Sequence, residues 1–117
     1  MSPSRTPGAV EESARVFDAL GDPTRLDLVT RLCRGGPQSI ASLTSGADVT
    51  RQAIAKHLRV LEAAGLVRGR REGRESRWEM EPRRLEVARE YLAMMSERWT
   101  TRLAALKRHV EATAGEP

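Results

Sequence analysis

The sequence predicts a mainly α-helical fold with a small β-hairpin, in the order α-α-α-α-β-β-α. Three observations predict it. Apolar residues recur at three- and four-residue spacing along most of the chain. A Gly-containing stretch between residues 66 and 80 switches to alternation. Gly and Pro punctuate the chain at Gly21, Pro23, Gly35, Gly36, Pro37 and Gly65, which fixes where helices stop and start. The length of 117 residues suits one small domain. Hydrophobic residues make up 39% and charged residues 31%, so the chain is globular, and with 3% aromatics its core must be aliphatic. Residues 1–8, MSPSRTPG, read as a disordered tail, 9–112 as the domain, and 113–117 as a frayed end.

The first helix runs from Ala9 to Leu20, with Val10, Ala14, Phe17 and Leu20 as its apolar stripe. Gly21 ends it. Asp22 can cap the next helix and Pro23 suits its first position, where a missing N–H costs nothing. Leu26, Val29 and Leu32 give this second helix a buried face, and Gly35-Gly36-Pro37 stops it. Gln38 or Ser39 opens a short third helix with Ile40 and Leu43 inward, and Ser45-Gly46-Ala47-Asp48 is a turn.

Thr50 then offers the hydroxyl an N-cap needs. Ile54, Leu58 and Leu61 share one face of the fourth helix, while Arg51, Gln52, Lys56 and Arg59 fall largely on the other. Gly65 stops it, with Leu66 placed for the hydrophobic contact that accompanies such a stop. Helix, turn and capped second helix over 38–64 is the helix-turn-helix plan. Arg and Lys pair with phosphate or guanine and Gln with adenine, so the polar face suits a DNA groove; an ordinary solvated face is the bland alternative.

The flanking hairpin, 66–80, weighs against the bland alternative. It carries Arg68, Arg70, Arg71, Arg74 and Arg77 around Glu72-Gly73. Ser76, Trp78 and Met80 share one face of its second arm, and Arg77 and Glu79 the other. From Thr50 to Arg77 eight Arg or Lys stand against three Glu, a balance of +5, whereas the whole chain is +4 and the rest therefore −1. Such a patch marks a polyanion binder, and the hairpin reads as a DNA-contacting wing rather than an edge charged only against aggregation.

Pro82 opens the last helix, 82–112, where Leu85, Ala88, Leu92, Met95, Trp99, Leu103, Leu106 and Val110 form one stripe. At about 1.5 Å per residue the stripe is roughly 40 Å long, more than one small core can cover. Dimerisation through this helix is the expected outcome; a helix folded back on its own domain, or two helices broken near Ser96, are the alternatives.

Two segments, ALGDPTRLDLVTRL (19–32) and VTRQAIAKHLRVLEAAGLVRGRREGRE (49–75), together with Trp78 and the long terminal helix, resemble the ArsR family of bacterial winged helix-turn-helix repressors. The likeness covers nearly the whole chain. It implies a homodimer joined through first and last helices, a palindromic DNA operator, and repression. It places recognition contacts on Thr50, Arg51, Gln52, Lys56, His57 and Arg59 and wing contacts on Arg70, Arg71 and Arg74. For His57 a packing role at the helix edge is equally open. The dimer interface falls on Phe17, Leu92, Met95, Trp99, Leu103 and Leu106. A winged-helix module that binds protein and does not read DNA is the alternative function.

The family's metal-sensing members carry Cys-x-Cys before the recognition helix, or Asp, His and Glu ligands on the last helix. Here the earlier segment reads SIASLTSG and the last helix holds one histidine, His109, so no metal site and no cofactor are expected. A small-molecule effector in the dimer cleft, lined by Met94, Met95 and Trp99, is compatible with the reading, though these fit plain dimer core as well. So is a redox effector at Cys33, whose thiolate Arg31 and Arg34 would favour; the duller reading of Cys33 is a small apolar packer. The one cysteine excludes an intrachain disulfide and fits a reducing compartment. No signal-peptide core or membrane-length apolar run is present, so a cytoplasmic, membrane-free location is expected. No nucleophile-and-base constellation, phosphate-cradling loop or paired carboxylates suggest an enzyme.

Overall fold

The computed structural model describes residues 7–114. Its elements are α1 (Pro7–Leu20), α2 (Pro23–Gly35), β1 (Gln38–Ser39), α3 (Ile40–Thr44), α4 (Arg51–Ala63), β2 (Val67–Glu72), β3 (Glu75–Met80) and α5 (Pro82–Ala114). This is the winged helix-turn-helix arrangement the sequence predicts, with one strand more. β1 pairs antiparallel with β3, Gln38 opposite Trp78 and Ser39 opposite Arg77, making a three-stranded sheet in the order β1-β3-β2.

Local chemistry sets the helix boundaries. Asp22 accepts from the Arg25 N–H at 3.0 Å and caps α2. That bond to the charged carboxylate holds Asp22 below its ordinary value of 3.8. Ser39 caps α3 and Thr50 caps α4, each accepting from the N–H three residues on at 3.1 Å. Beyond the end of α4 stands Gly65, whose φ of 78° disfavours any residue with a Cβ. The Leu66 N–H reaches back to the Leu61 carbonyl at 3.0 Å, and Leu66 itself is fully buried. Gly73, at φ 61°, makes the two-residue turn that brings Glu72 opposite Glu75.

The core gathers Val16 and Ala19 of α1, Leu28, Val29 and Leu32 of α2, Leu43, then Ile54, Leu58 and Leu61 of α4, with Leu66, Val67 and Ala88 closing it. Two faces differ from the sequence reading. α1 buries Ser13, Val16 and Ala19, whereas Val10 and Ala14 are exposed. This helix has two apolar stripes, and the body takes the one containing a serine. α2 buries Val29 and Leu32 as read from the sequence, but Leu28 takes the place expected of Leu26, which is half exposed.

The long helix α5 is unbroken through Ser96 and does not fold back. Its 33 residues extend about 50 Å at 1.5 Å each, within a molecule 75 Å long. It starts at Pro82 as expected and stays helical through Thr113 and Ala114, where fraying was expected. The expected disordered tail, 1–8, lies outside the described residues except for Pro7 and Gly8, which are helical. Ala88 is the one α5 residue in the core, and α1 is the element α5 packs on.

Candidate nucleic-acid interface

α4 is held from two sides. Arg31 of α2 donates to three carbonyls at the end of α3 and the following turn: Leu43 at 2.7 Å, Ser42 at 3.2 Å and Ser45 at 3.4 Å. A cation there satisfies orphan carbonyls and complements the negative end of the helix. Gln38 donates to the Arg31 carbonyl at 2.9 Å and accepts from the Ser42 hydroxyl at 3.2 Å. Together they fix the helix before the turn against α2. On the far side, the Glu62 carboxylate accepts from the Gly69 N–H at 3.4 Å, tying α4 to β2.

Between these ties, Thr50, Arg51, Gln52, Lys56 and Arg59 are all exposed. At 100° per residue, the last four lie within an arc of about 140°. None of Arg51, Lys56 or Arg59 forms an ion pair among the described residues.

His57 lies about 170° from the middle of that arc. It is half-buried, with Nδ1 3.4 Å from the Arg25 guanidinium and 3.9 Å from Asp22. Arg25 also donates to the Ala19 carbonyl at 2.6 Å. His57 therefore joins α4 to the α1–α2 corner; of its two sequence readings, geometry favours packing.

The wing sorts its arginines by strand face. Val67, Gly69 and Arg71 pair with Met80, Trp78 and Ser76 on the face that Trp78 packs against the core. Gly69 lets the Trp78 ring lie close over the strand, since a Cβ there would sit a tight 3.3 Å from it. Arg68, Arg70 and Arg77 share the other face with Glu72 and Glu79, and each lies within 4.0 Å of a carboxylate. Arg71 and Arg74 have no ion pair among the described residues and are exposed. Of the three wing positions named from the sequence, Arg70 is thus already engaged and two are unpaired.

Leu92, Met95, Trp99, Leu103 and Leu106 are exposed along α5, and Phe17 of α1 is half-buried against the core. Tyr91, Met94, Met95, Arg98, Trp99 and Arg102 line a shallow open groove on α5. Cys33 is exposed, which corrects its reading as a small apolar packer. Arg31, expected beside it, turns instead to the α3 carbonyls. Among the described residues no group of three or more His, Cys, Asp and Glu could hold a metal ion, and no helix is long and apolar enough to cross a membrane.

A family model described as a helix-turn-helix domain matches residues 20–70. The chain is 43% identical over 65 residues to an uncharacterised helix-turn-helix-type transcriptional regulator of Bacillus subtilis, covering 50% of this chain and 71% of that protein. A similar regulator of Methanocaldococcus jannaschii is 35% identical over 63 residues, covering 54% and 71%. Among solved structures, an ArsR-like transcriptional regulator from Rhodococcus sp. RHA1 superposes with a TM-score of 0.72 at 42% identity, covering 86% of this chain and 94% of that one. A homodimeric winged helix-turn-helix DNA-binding domain from Mycobacterium bovis shares the fold, with a TM-score of 0.63 at 23% identity, covering 82% and 86%.

Proposed function

The chain belongs to the ArsR family of helix-turn-helix transcriptional regulators, and from that premise we propose that it is a cytoplasmic homodimeric repressor of a palindromic operator. Family membership decides between the two functions left open by the sequence, in favour of a DNA-binding regulator over a protein-interaction module. The observation that carries the proposal is the unpaired polar arc of α4 beside the unpaired Arg71 and Arg74. In this reading α4 enters the major groove, where Arg51 and Gln52 read base edges and Thr50, Lys56 and Arg59 hold phosphate. Arg71 and Arg74 grip flanking backbone. Two copies joined by the apolar stripes of α1 and α5 present two such helices to half-sites about one helical turn apart.

The Mycobacterium bovis relative is described as homodimeric, which fits the exposed α5 stripe. An apolar small molecule seated on the Met95–Trp99 groove, or oxidation of the exposed Cys33, would be compatible inputs.

Binding titrations across salt test the roles. Arg71→Ala should weaken binding on every sequence and lower the log–log salt slope by about one. Arg51→Ala or Gln52→Ala should instead change which bases are preferred, by about 1–3 kcal/mol per lost pair. Loss of operator preference in Arg71→Ala, with both α4 variants silent, would contradict the assignment.

A further inference from the structure

The outer face of the wing is a continuous chain of alternating charge. Its order in space is Glu81, Arg68, Glu79, Arg70, Glu72, Arg77, with successive separations of 3.2, 2.8, 3.9, 3.5 and 2.9 Å. Three cations meet three carboxylates, so the chain of pairs is itself neutral, and Glu75 on the same face, unpaired among the described residues, adds a further negative charge. Glu79 sits at the junction of two arginines and its side chain is only 16% exposed. Accepting from Arg68, with Glu81 nearby, it holds that guanidinium more firmly charged than usual. Glu72 bridges Arg70 and Arg77, which the register sets directly opposite each other. Like charges in that position would otherwise repel.

We infer that Glu72, Glu79 and Glu81 ration the wing's positive charge, holding Arg68, Arg70 and Arg77 off the DNA backbone and leaving the grip to Arg71 and Arg74. The inference rests on the DNA-binding reading above and adds residues that reading does not use. Its physical basis is that phosphate contacts raise affinity for every sequence alike. Five free arginines on the wing would tighten non-specific binding and narrow the margin by which α4 discriminates. Paired with carboxylates, three of them contribute to hairpin order and little to that background.

The test compares the full-length chain with Glu79→Gln, Glu72→Gln and Glu75→Gln on a random-sequence duplex across a salt series, read by fluorescence anisotropy. Glu79→Gln keeps the shape of the side chain, takes from Arg68 its closest carboxylate and leaves Arg70 with Glu72 alone. Glu72→Gln releases Arg77 from the other end, independently of the packing around Glu79. Glu75 has no ion pair among the described residues, so Glu75→Gln removes the same charge without releasing an arginine. The ladder variants should bind about two- to fivefold tighter, as the loss of a surface ion pair allows. Their log–log salt slopes should steepen by about one per arginine released, with Glu75→Gln unchanged in slope. The ladder is overturned if Glu79→Gln and Glu72→Gln keep the wild-type slope, or match Glu75→Gln. Wild-type protein that binds no duplex even at low salt would instead defeat the DNA-binding reading itself.

Discussion

The helices α4 and α5 carry apolar stripes of the same spacing and meet different fates. Ile54, Leu58 and Leu61 on α4 are at most 1% exposed, because α1, α2, α3 and β2 close over them. Leu92, Trp99 and Leu106 on α5 are 48%, 63% and 58% exposed, because the helix has run past the body that could cover them. Amphipathicity tells where a helix wants a partner; the reach of the rest of the chain decides whether that partner is its own domain. The surplus on α5 is the physical argument for a second copy.

Matched truncations put this contrast under the greatest strain. Leu58→Ala should cost about 2–5 kcal/mol in urea unfolding, the sum of lost burial and a cavity. Leu103→Ala should change the stability of dilute, monomeric protein by less than about 0.5 kcal/mol. It should nevertheless shift sedimentation toward monomer at higher concentration. Equal losses from the two variants in the monomer would erase the distinction.

Smaller effects probe how α4 is held. Arg31→Met removes the cation from the Ser42, Leu43 and Ser45 carbonyls and should destabilise by roughly 1–2 kcal/mol in the same unfolding assay. Thr50→Ala removes the α4 cap and should cost about 1 kcal/mol, with local loss of amide protection at Ala53 in hydrogen exchange.

The smallest effect is a pH dependence at Asp22. Its carboxyl is held below the ordinary value by the Arg25 N–H, so its charged form is favoured in the fold. The resulting stabilisation is fully present above pH 3.8, the ordinary value, and is lost as pH falls through the lower folded value. The Tm gap between wild type and Asp22→Asn should therefore shrink on acidification below about pH 4. A gap that widens there would contradict the assigned cause.

What was legible in the sequence was chiefly local. Asp22-Pro23, Thr50, Gly65 and Gly73 each act through bonds to residues a few positions away, so their types alone announce the boundaries. The features that were not legible depend on distant neighbours. The two-residue strand β1 exists only because β3 lies beside it. Arg31 looks like a companion to Cys33 until the fold swings the α3 carbonyls within reach. α1 offers two apolar stripes, and only packing chooses between them. In the wing, five arginines look equivalent until the register sets three of them among carboxylates and leaves Arg71 and Arg74 apart.

The most direct test of the central claim is selection of bound sequences from a random DNA pool by the full-length chain. A dimer presenting two α4 helices should enrich an inverted repeat whose half-site centres lie about one helical turn apart. Recovery of bound DNA with no enriched sequence would contradict an operator-reading dimer.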